Sequence, residues 1–157
     1  MYKEQLEEVL AEFREWGINF TPTSFQVGNT VLSFTMLGDD IQLGLLARAG
    51  HLLRVRDISW SIAHEICHNL MERKRPSKKL RRIFGTEEEW DDEQSLVSSV
   101  LDYDGEEYIT RYAASHPEED MCECVAALIT GTCTSEFPGI QMKLEAAADW
   151  LRLVGKR

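Results

Sequence analysis

The stretch IAHEICHN, residues 62–69, decides the fold and the function that the sequence favours. It contains His64, Glu65 and His68 in the spacing H-E-x-x-H. Residues four apart on a helix lie on the same face, about one turn apart, so both imidazoles can reach one ion. Zinc accepts imidazole nitrogens at about 2.0–2.1 Å. The pattern therefore predicts a metal-bearing helix in which Glu65 acts as general base for a metal-bound water.

A buried helix with two incidental histidines is the alternative interpretation, because the motif is short. Ile62, Ile66 and Leu70 give the same helix a side that faces a core. Cys67, beside His68, is expected to pack as a small apolar residue rather than to bind an ion.

The third metal ligand has to come from elsewhere in the chain, since catalytic zinc sites use three protein ligands and a water. If a helix begins at Pro117, Glu119 and Glu123 lie four apart on one face. One of these carboxylates could bind the metal, and the other could hold a ligand histidine by its free N–H. His51 or His116 could instead be the third ligand, although a helix-capping or loop role is favoured for His116 because it precedes Pro117.

Length and composition favour one globular domain over residues 1–157, with 43% hydrophobic and 28% charged residues. The net charge of −10 argues against binding nucleic acid or an anionic membrane. No apolar run approaches the roughly 20 residues of a membrane helix, and the first 16 residues have no signal-peptide core. We therefore expect a cytoplasmic protein whose four cysteines are reduced.

Hydrophobic periodicity predicts an α+β fold with a small N-terminal sheet and a mainly helical C-terminal half. Alternating residues predict strands within 24–47, with a turn at Gly28-Asn29. Helical periods cover residues 3–16, 57–73 with Asp57 as N-cap, 117–131 and 140–154, and residues 94–114 are expected to hold one or two helices. The basic run KRPSKKLRR, residues 74–82, is expected to be a solvated loop and helix start, with a docking patch for an acidic partner as the alternative.

The order of the motifs resembles the gluzincin metallopeptidases and, most closely, a bacterial family described as zinc-binding metallopeptidases. The family pattern is H-E-[IV]-G-H, a nearby F-G, and then Y-[VI]-S-x-Y-A-x-x-H-P-x-E-D-x-A-E-x-x-A. The matching pieces are HEICH, Phe84-Gly85 and YITRYAASHPEEDMCECVA, which agree in order and spacing across roughly residues 60–130. The N-terminal 55 residues lie outside the resemblance.

The resemblance implies a zincin-like core and a role for each residue of the second motif. Glu119 would be the third zinc ligand, and Glu123 would orient a ligand histidine. Tyr112 would donate its hydroxyl to the oxyanion formed when water attacks the carbonyl, with Tyr108 as the fallback. A strand somewhere in residues 41–47 would bind the substrate as an added strand.

The chain departs from the family pattern at several positions near the site. Cys67 stands where the family usually has glycine, Cys122 and Cys124 replace small or polar residues, and Met121 replaces an aromatic residue. None of these changes removes a proposed ligand. Three cysteines near the site could make it sensitive to oxidation.

Together the sequence predicts a hydrolase, a zinc metallopeptidase acting on a peptide or protein substrate. One alternative is a regulatory protease of narrow specificity that cuts a single partner protein. The other is a metal-binding interaction module without turnover. Trp16, Trp60, Trp90 and Trp150 are expected to be packing residues only.

Overall fold

A computed structural model describes residues 3–22, 24–28, 34–35, 40–44, 55–92, 104–110, 112–131 and 136–156. Within these ranges the chain forms six α-helices and one 3-10 helix at Tyr112–Ser115. The α-helices are α1 Lys3–Glu15, α2 Val55–Arg73, α3 Lys78–Phe84, α4 Glu87–Asp91, α5 Pro117–Thr130 and α6 Pro138–Gly155. No helix in these ranges is long and apolar enough to cross a membrane.

Three short strands pair in the order β1-β3-β2, where β1 is Ser24–Gly28, β2 is Phe34–Thr35 and β3 is Asp40–Gly44. β3 runs parallel to β1 and antiparallel to β2, which pairs with Ile41 and Gln42. β3 is thus the central strand, and its edge at these two residues is already taken. Ile41 and Gln42 are paired on both sides, so a substrate cannot add as a strand at these two residues. This corrects the prediction of a substrate-binding strand for residues 41–42, and residues 45–47 lie outside the described ranges.

The prediction of an α+β fold is wrong, because the described core is helical. The strands are only five, two and five residues long. All the described buried hydrophobic residues lie on helices, except Ile18 and Phe20, which follow α1. Alternation of β-branched residues indicated strands correctly, but alternation alone does not show whether strands form a layer of the core. Among the side chains that the structure describes, those of helices provide the packing around the site.

The packing of α2 against α5 is the most extensive helix contact of the described fold. Its buried apolar side chains include Ile62, Ile66, Met121, Cys122 and Val125. α1 packs against both helices, and α6 packs against α5. The two helices that carry the candidate ligands are thus held face to face by the centre of the core.

Local signals set most of the helix ends. α5 begins at Pro117, as predicted, and ends before Gly131, whose φ of 65° is the left-handed conformation that closes many helices. The side chain of His116 caps α5 by accepting a hydrogen bond from the Glu118 N–H at 3.0 Å. The capping role that the sequence favoured for His116 is therefore confirmed.

Other boundaries differ from the predictions by a few residues. α2 begins at Val55, so Asp57 lies inside its first turn rather than at the N-cap. α6 begins at Pro138 and ends at Gly155, slightly beyond residues 140–154. The basic run contains the start of α3, which Ser77 caps by accepting from the Leu80 N–H at 3.3 Å. Part of the predicted turn lies in residues 29–33, which are outside the described ranges. Part of the segment predicted to hold one or two helices lies in residues 93–103, also outside them, and residues 104–110 form no helix.

Replacing Phe13 by alanine tests whether α1, which precedes the HExxH motif by about 50 residues, belongs to the same core. The Phe13 side chain is 0% exposed. Its removal leaves a cavity and is expected to lower the free energy of unfolding by about 3–5 kcal/mol. Leu153→Ala, at a side chain 45% exposed, is the control and should change it by less than about 0.5 kcal/mol. Equal changes in the free energy of unfolding for the two variants, measured by urea denaturation, would show that α1 does not share the core.

Candidate metal centre

The two histidines of α2 and a glutamate of α5 meet at one point between the helices. The Nε2 atoms of His64 and His68 lie 3.1 Å apart. Glu119 places Oε2 at 2.8 Å from the His64 Nε2 and Oε1 at 3.0 Å from the His68 Nε2. Residues on two helices, 51 to 55 positions apart in the chain, thus direct two ring nitrogens and one carboxylate to the same small volume.

This donor set fits a zinc ion by its chemistry and nearly by its spacing. Two imidazoles and a carboxylate are the ligand set of many catalytic zinc sites. Ligand distances of about 2.0–2.1 Å put the donor atoms of a tetrahedral site about 3.3 Å apart. The distances between donors here are 2.8–3.1 Å, so a shift of a few tenths of an ångström opens the space that zinc needs.

Each histidine is also held by a second carboxylate on its other ring nitrogen. The Nδ1 of His64 lies 2.9 Å from Glu123 Oε2, and the Nδ1 of His68 lies 2.6 Å from Glu118 Oε2. A carboxylate can only accept, so in each pair the Nδ1–H donates. This fixes the ring orientation and leaves both Nε2 atoms available to an ion, as in carboxylate–histidine–zinc arrangements.

Glu123 is itself fixed by two further donors. Trp60 on α2 donates its Nε1–H to Oε2 at 2.5 Å, and Thr110 donates its hydroxyl to Oε1 at 2.8 Å. Trp60 therefore does more than pack, which corrects the prediction that it has no role beyond packing. Glu123 joins α2, α5 and the segment before the 3-10 helix at one carboxylate.

Buried charges hold the cluster together without an ion. Burial by itself lowers the pKa of His64, but Glu119 and Glu123 outweigh it and raise that pKa to about 10. Burial is likewise outweighed at His68, where Glu118 and Glu119 raise the pKa to about 11. The two histidines in turn lower the pKa of Glu119, although burial alone would raise it. The imidazoles and these carboxylates thus favour each other's charged forms.

Glu65 lies beside this cluster with its carboxyl group buried. Its side chain is among the largest fully buried ones, and its Oε2 has no hydrogen-bond partner. Burial raises the pKa of Glu65 to about 7, against the opposite effect of His64 and His68. A carboxyl group that titrates near neutrality and has a free oxygen is suited to accept a proton from a reacting water.

Of the two tyrosine candidates, the structure brings Tyr112 to the cluster. Its ring centroid lies 5.7 Å from that of His64, and its hydroxyl hydrogen-bonds Glu119. Burial, followed by the negative charge of Glu119, raises the pKa of Tyr112 above its usual value. Tyr112 is nevertheless 45% exposed, so it faces both the cluster and solvent. Tyr108 instead packs against Lys143, whose Nζ lies 4.0 Å from its ring centroid.

The remaining candidates have separate positions. His51 and Cys133 lie outside the described ranges, and His116 caps α5. Cys67 is fully buried among the core residues, in line with its predicted packing role. Sequence reasoning gave no role to Glu118 or Thr110, no role at the site to Trp60 and no ligand role to Cys122, although Glu118 and Cys122 lie four apart and share a face of α5. Cys122 has its sulfur within 4.8 Å of a ring nitrogen of each α2 histidine.

A family model described as "Putative zinc-binding metallo-peptidase" matches residues 42–144. The chain belongs to this family, which confirms the resemblance that the motifs indicated. The match begins at residue 42, so it corrects the expectation that the N-terminal 55 residues lie outside the resemblance. The family is zinc-binding, and the chain has histidine, cysteine and glutamate groups that can hold a metal ion. Neither the curated proteins nor the solved structures include a match to this chain.

Replacing Glu123 by glutamine should weaken zinc binding without removing a ligand. Glutamine has one accepting oxygen in place of two and carries no charge, so it cannot keep all three contacts to His64, Trp60 and Thr110 as they are and holds the His64 ring less firmly. Changes at such partners typically weaken metal affinity by about 10–100-fold. The dissociation constant for zinc, measured by competition with a chelator, should rise by that factor. Glu145→Gln, at an exposed position of α6, should leave the constant unchanged, and equal constants for both variants would contradict the role of Glu123.

Proposed function

We propose that this protein is a zinc-dependent peptidase that hydrolyses peptide bonds in a peptide or protein substrate. One observation carries the proposal. Two imidazoles and the Glu119 carboxylate converge within 3.1 Å of one another, beside the unpartnered and buried Oε2 of Glu65. Membership of a zinc-binding metallopeptidase family supports the same function.

His64, His68 and Glu119 are the proposed metal ligands, and Glu118 and Glu123 orient the two rings. A zinc ion held by these residues would supply a Lewis acid and an acidified water. Glu65 Oε2 is the proposed general base, which takes a proton from the attacking water and passes it to the leaving amine. Its free oxygen and its pKa near 7 suit both transfers.

Tyr112 is the proposed oxyanion donor. In the structure its hydroxyl is engaged with Glu119, within reach of the reacting centre. Because a hydroxyl can rotate, it can turn from this carboxylate to a developing oxyanion. Its partial exposure supports this role, because a substrate approaches from solvent.

Zinc content tests the proposed ligand set directly. Purified protein supplied with zinc should contain about one ion per chain by plasma emission spectroscopy. Glu119→Ala should weaken binding by more than the roughly 100-fold upper range for an orienting partner, since it removes a ligand. Glu145→Ala serves as the exposed control. A ratio near zero in the unmutated protein would overturn the function and leave a helix with two histidines on one face.

Glu65→Gln tests the catalytic role separately from metal binding. Zinc content should stay near one, while cleavage of a diverse peptide mixture, followed by mass spectrometry, should fall by about 10²–10⁴-fold. Tyr112→Phe should reduce cleavage by about 10²–10³-fold, the usual loss for one oxyanion donor. Glu72→Gln, on an exposed face of α2, is the control.

Two results of this assay would redirect the proposal. If the Glu65→Gln variant cleaves peptides as fast as the unmutated protein, Glu65 is not the general base. Zinc-loaded protein that leaves both the peptide mixture and casein intact would favour a regulatory protease with one partner as substrate, or a metal-binding module. A biological activity that persists in Glu65→Gln would then select the module.

A further inference from the structure

Cys122 lies on the face of α5 that meets the histidines of α2. It is 0% exposed, and its position three residues after Glu119 and four after Glu118 places all three on one side of the helix. Its Sγ and one ring nitrogen from each of His64 and His68 all lie within 4.8 Å of one another. We propose that Cys122 supplies a sulfur ligand to the zinc ion that His64 and His68 hold.

The other two described cysteines do not share this position. Cys124 lies on a different side of α5, where its Sγ is 3.9 Å from Asp120 Oδ1. Asp120 in turn is paired with Lys143 at 2.7 Å, away from the histidines. Cys67 contacts the Cys122 thiol from α2, but it is not among the described side chains whose ligand atoms lie close enough together to hold an ion. The placement thus singles out one of three buried thiols.

The chemistry of this environment suits a thiol that becomes a ligand only when the ion arrives. Burial, with the neighbouring Cys67, raises the pKa of the Cys122 thiol well above its usual value. A buried thiol of this kind packs as a small apolar side chain. On binding, the sulfur–hydrogen bond gives way to a sulfur–zinc bond, and the thiol proton leaves to solvent.

This inference rests on the proposed zinc site and deepens it. With His64, His68 and Glu119, Cys122 would bring the protein donors to four. Four protein ligands are the number found in structural zinc sites, whereas hydrolytic sites keep one position open. Because the proposed hydrolysis needs an open position for water, the Cys122 sulfur would have to exchange with water at the zinc during that reaction.

X-ray absorption of the zinc-loaded full chain tests the proposal without an activity assay. A zinc–sulfur shell appears at about 2.3 Å, separate from nitrogen and oxygen at about 2.0–2.2 Å. The unmutated protein should show one sulfur per zinc. Cys122→Ser should lose the sulfur shell and retain zinc, while Cys124→Ser, a buried thiol on the same helix, should keep the shell. Cys122→Ala provides a second variant if serine disturbs the fold.

The outcomes separate this inference from the proposed function. Zinc bound in the unmutated protein through nitrogen and oxygen alone would overturn the role of Cys122 and leave the metal site intact. A sulfur shell that survives in Cys122→Ser would overturn it equally, by assigning the sulfur to another cysteine. Failure of the unmutated protein to bind zinc would instead overturn the proposed site together with its fourth ligand.

Discussion

The pairing of the buried His64 and His68 imidazoles with carboxylates of α5 joins the polar faces of α2 and α5. His64 is enclosed by Glu119 and Glu123, and His68 by Glu118 and Glu119. A charge buried without a partner costs several kcal/mol, so neither helix can present its polar face to the core without the other. The helix pair and the candidate metal centre are therefore one structural unit, and the apolar contacts around it fix their relative position.

A second polar network extends this unit to the segment that precedes α5. Lys143 on α6 pairs with Asp120 on α5 and donates to the Glu107 carbonyl, each at 2.7 Å. Thr110 binds Glu123 from the same segment. The segment is thus held at both ends of residues 107–110, just before Tyr112. A tyrosine that is partly exposed can keep a defined place beside the cluster because its neighbours are fixed by buried hydrogen bonds.

The sequence predicted what depends on spacing within one element and missed what depends on contacts between elements. H-E-x-x-H predicted a helix with both histidines on one face, and Pro117 with Gly131 predicted both ends of α5. Trp60 and Glu123 lie 63 positions apart, and no periodicity relates them. The fold class was wrong for a related reason: alternation indicates that a strand forms, but only tertiary packing decides whether strands or helices build the core. The functional roles assigned to Glu65, Glu119 and Tyr112 stay predictions.

The burial of the cysteines around the site bears on two hypotheses, sensitivity to oxidation and metal binding. Oxidation requires a thiolate that an oxidant can reach, and reactive cysteines are partly exposed in electropositive surroundings. Cys67, Cys122 and Cys124 are all fully buried, and burial raises the pKa of both Cys122 and Cys124. The burial of these three thiols therefore argues against the hypothesis that oxidation of the cysteines regulates the site. A metal ion held by His64 and His68 would reach Cys122 from inside the cluster and stabilise its thiolate there, so the same enclosure that protects this thiol from oxidants is compatible with ligation.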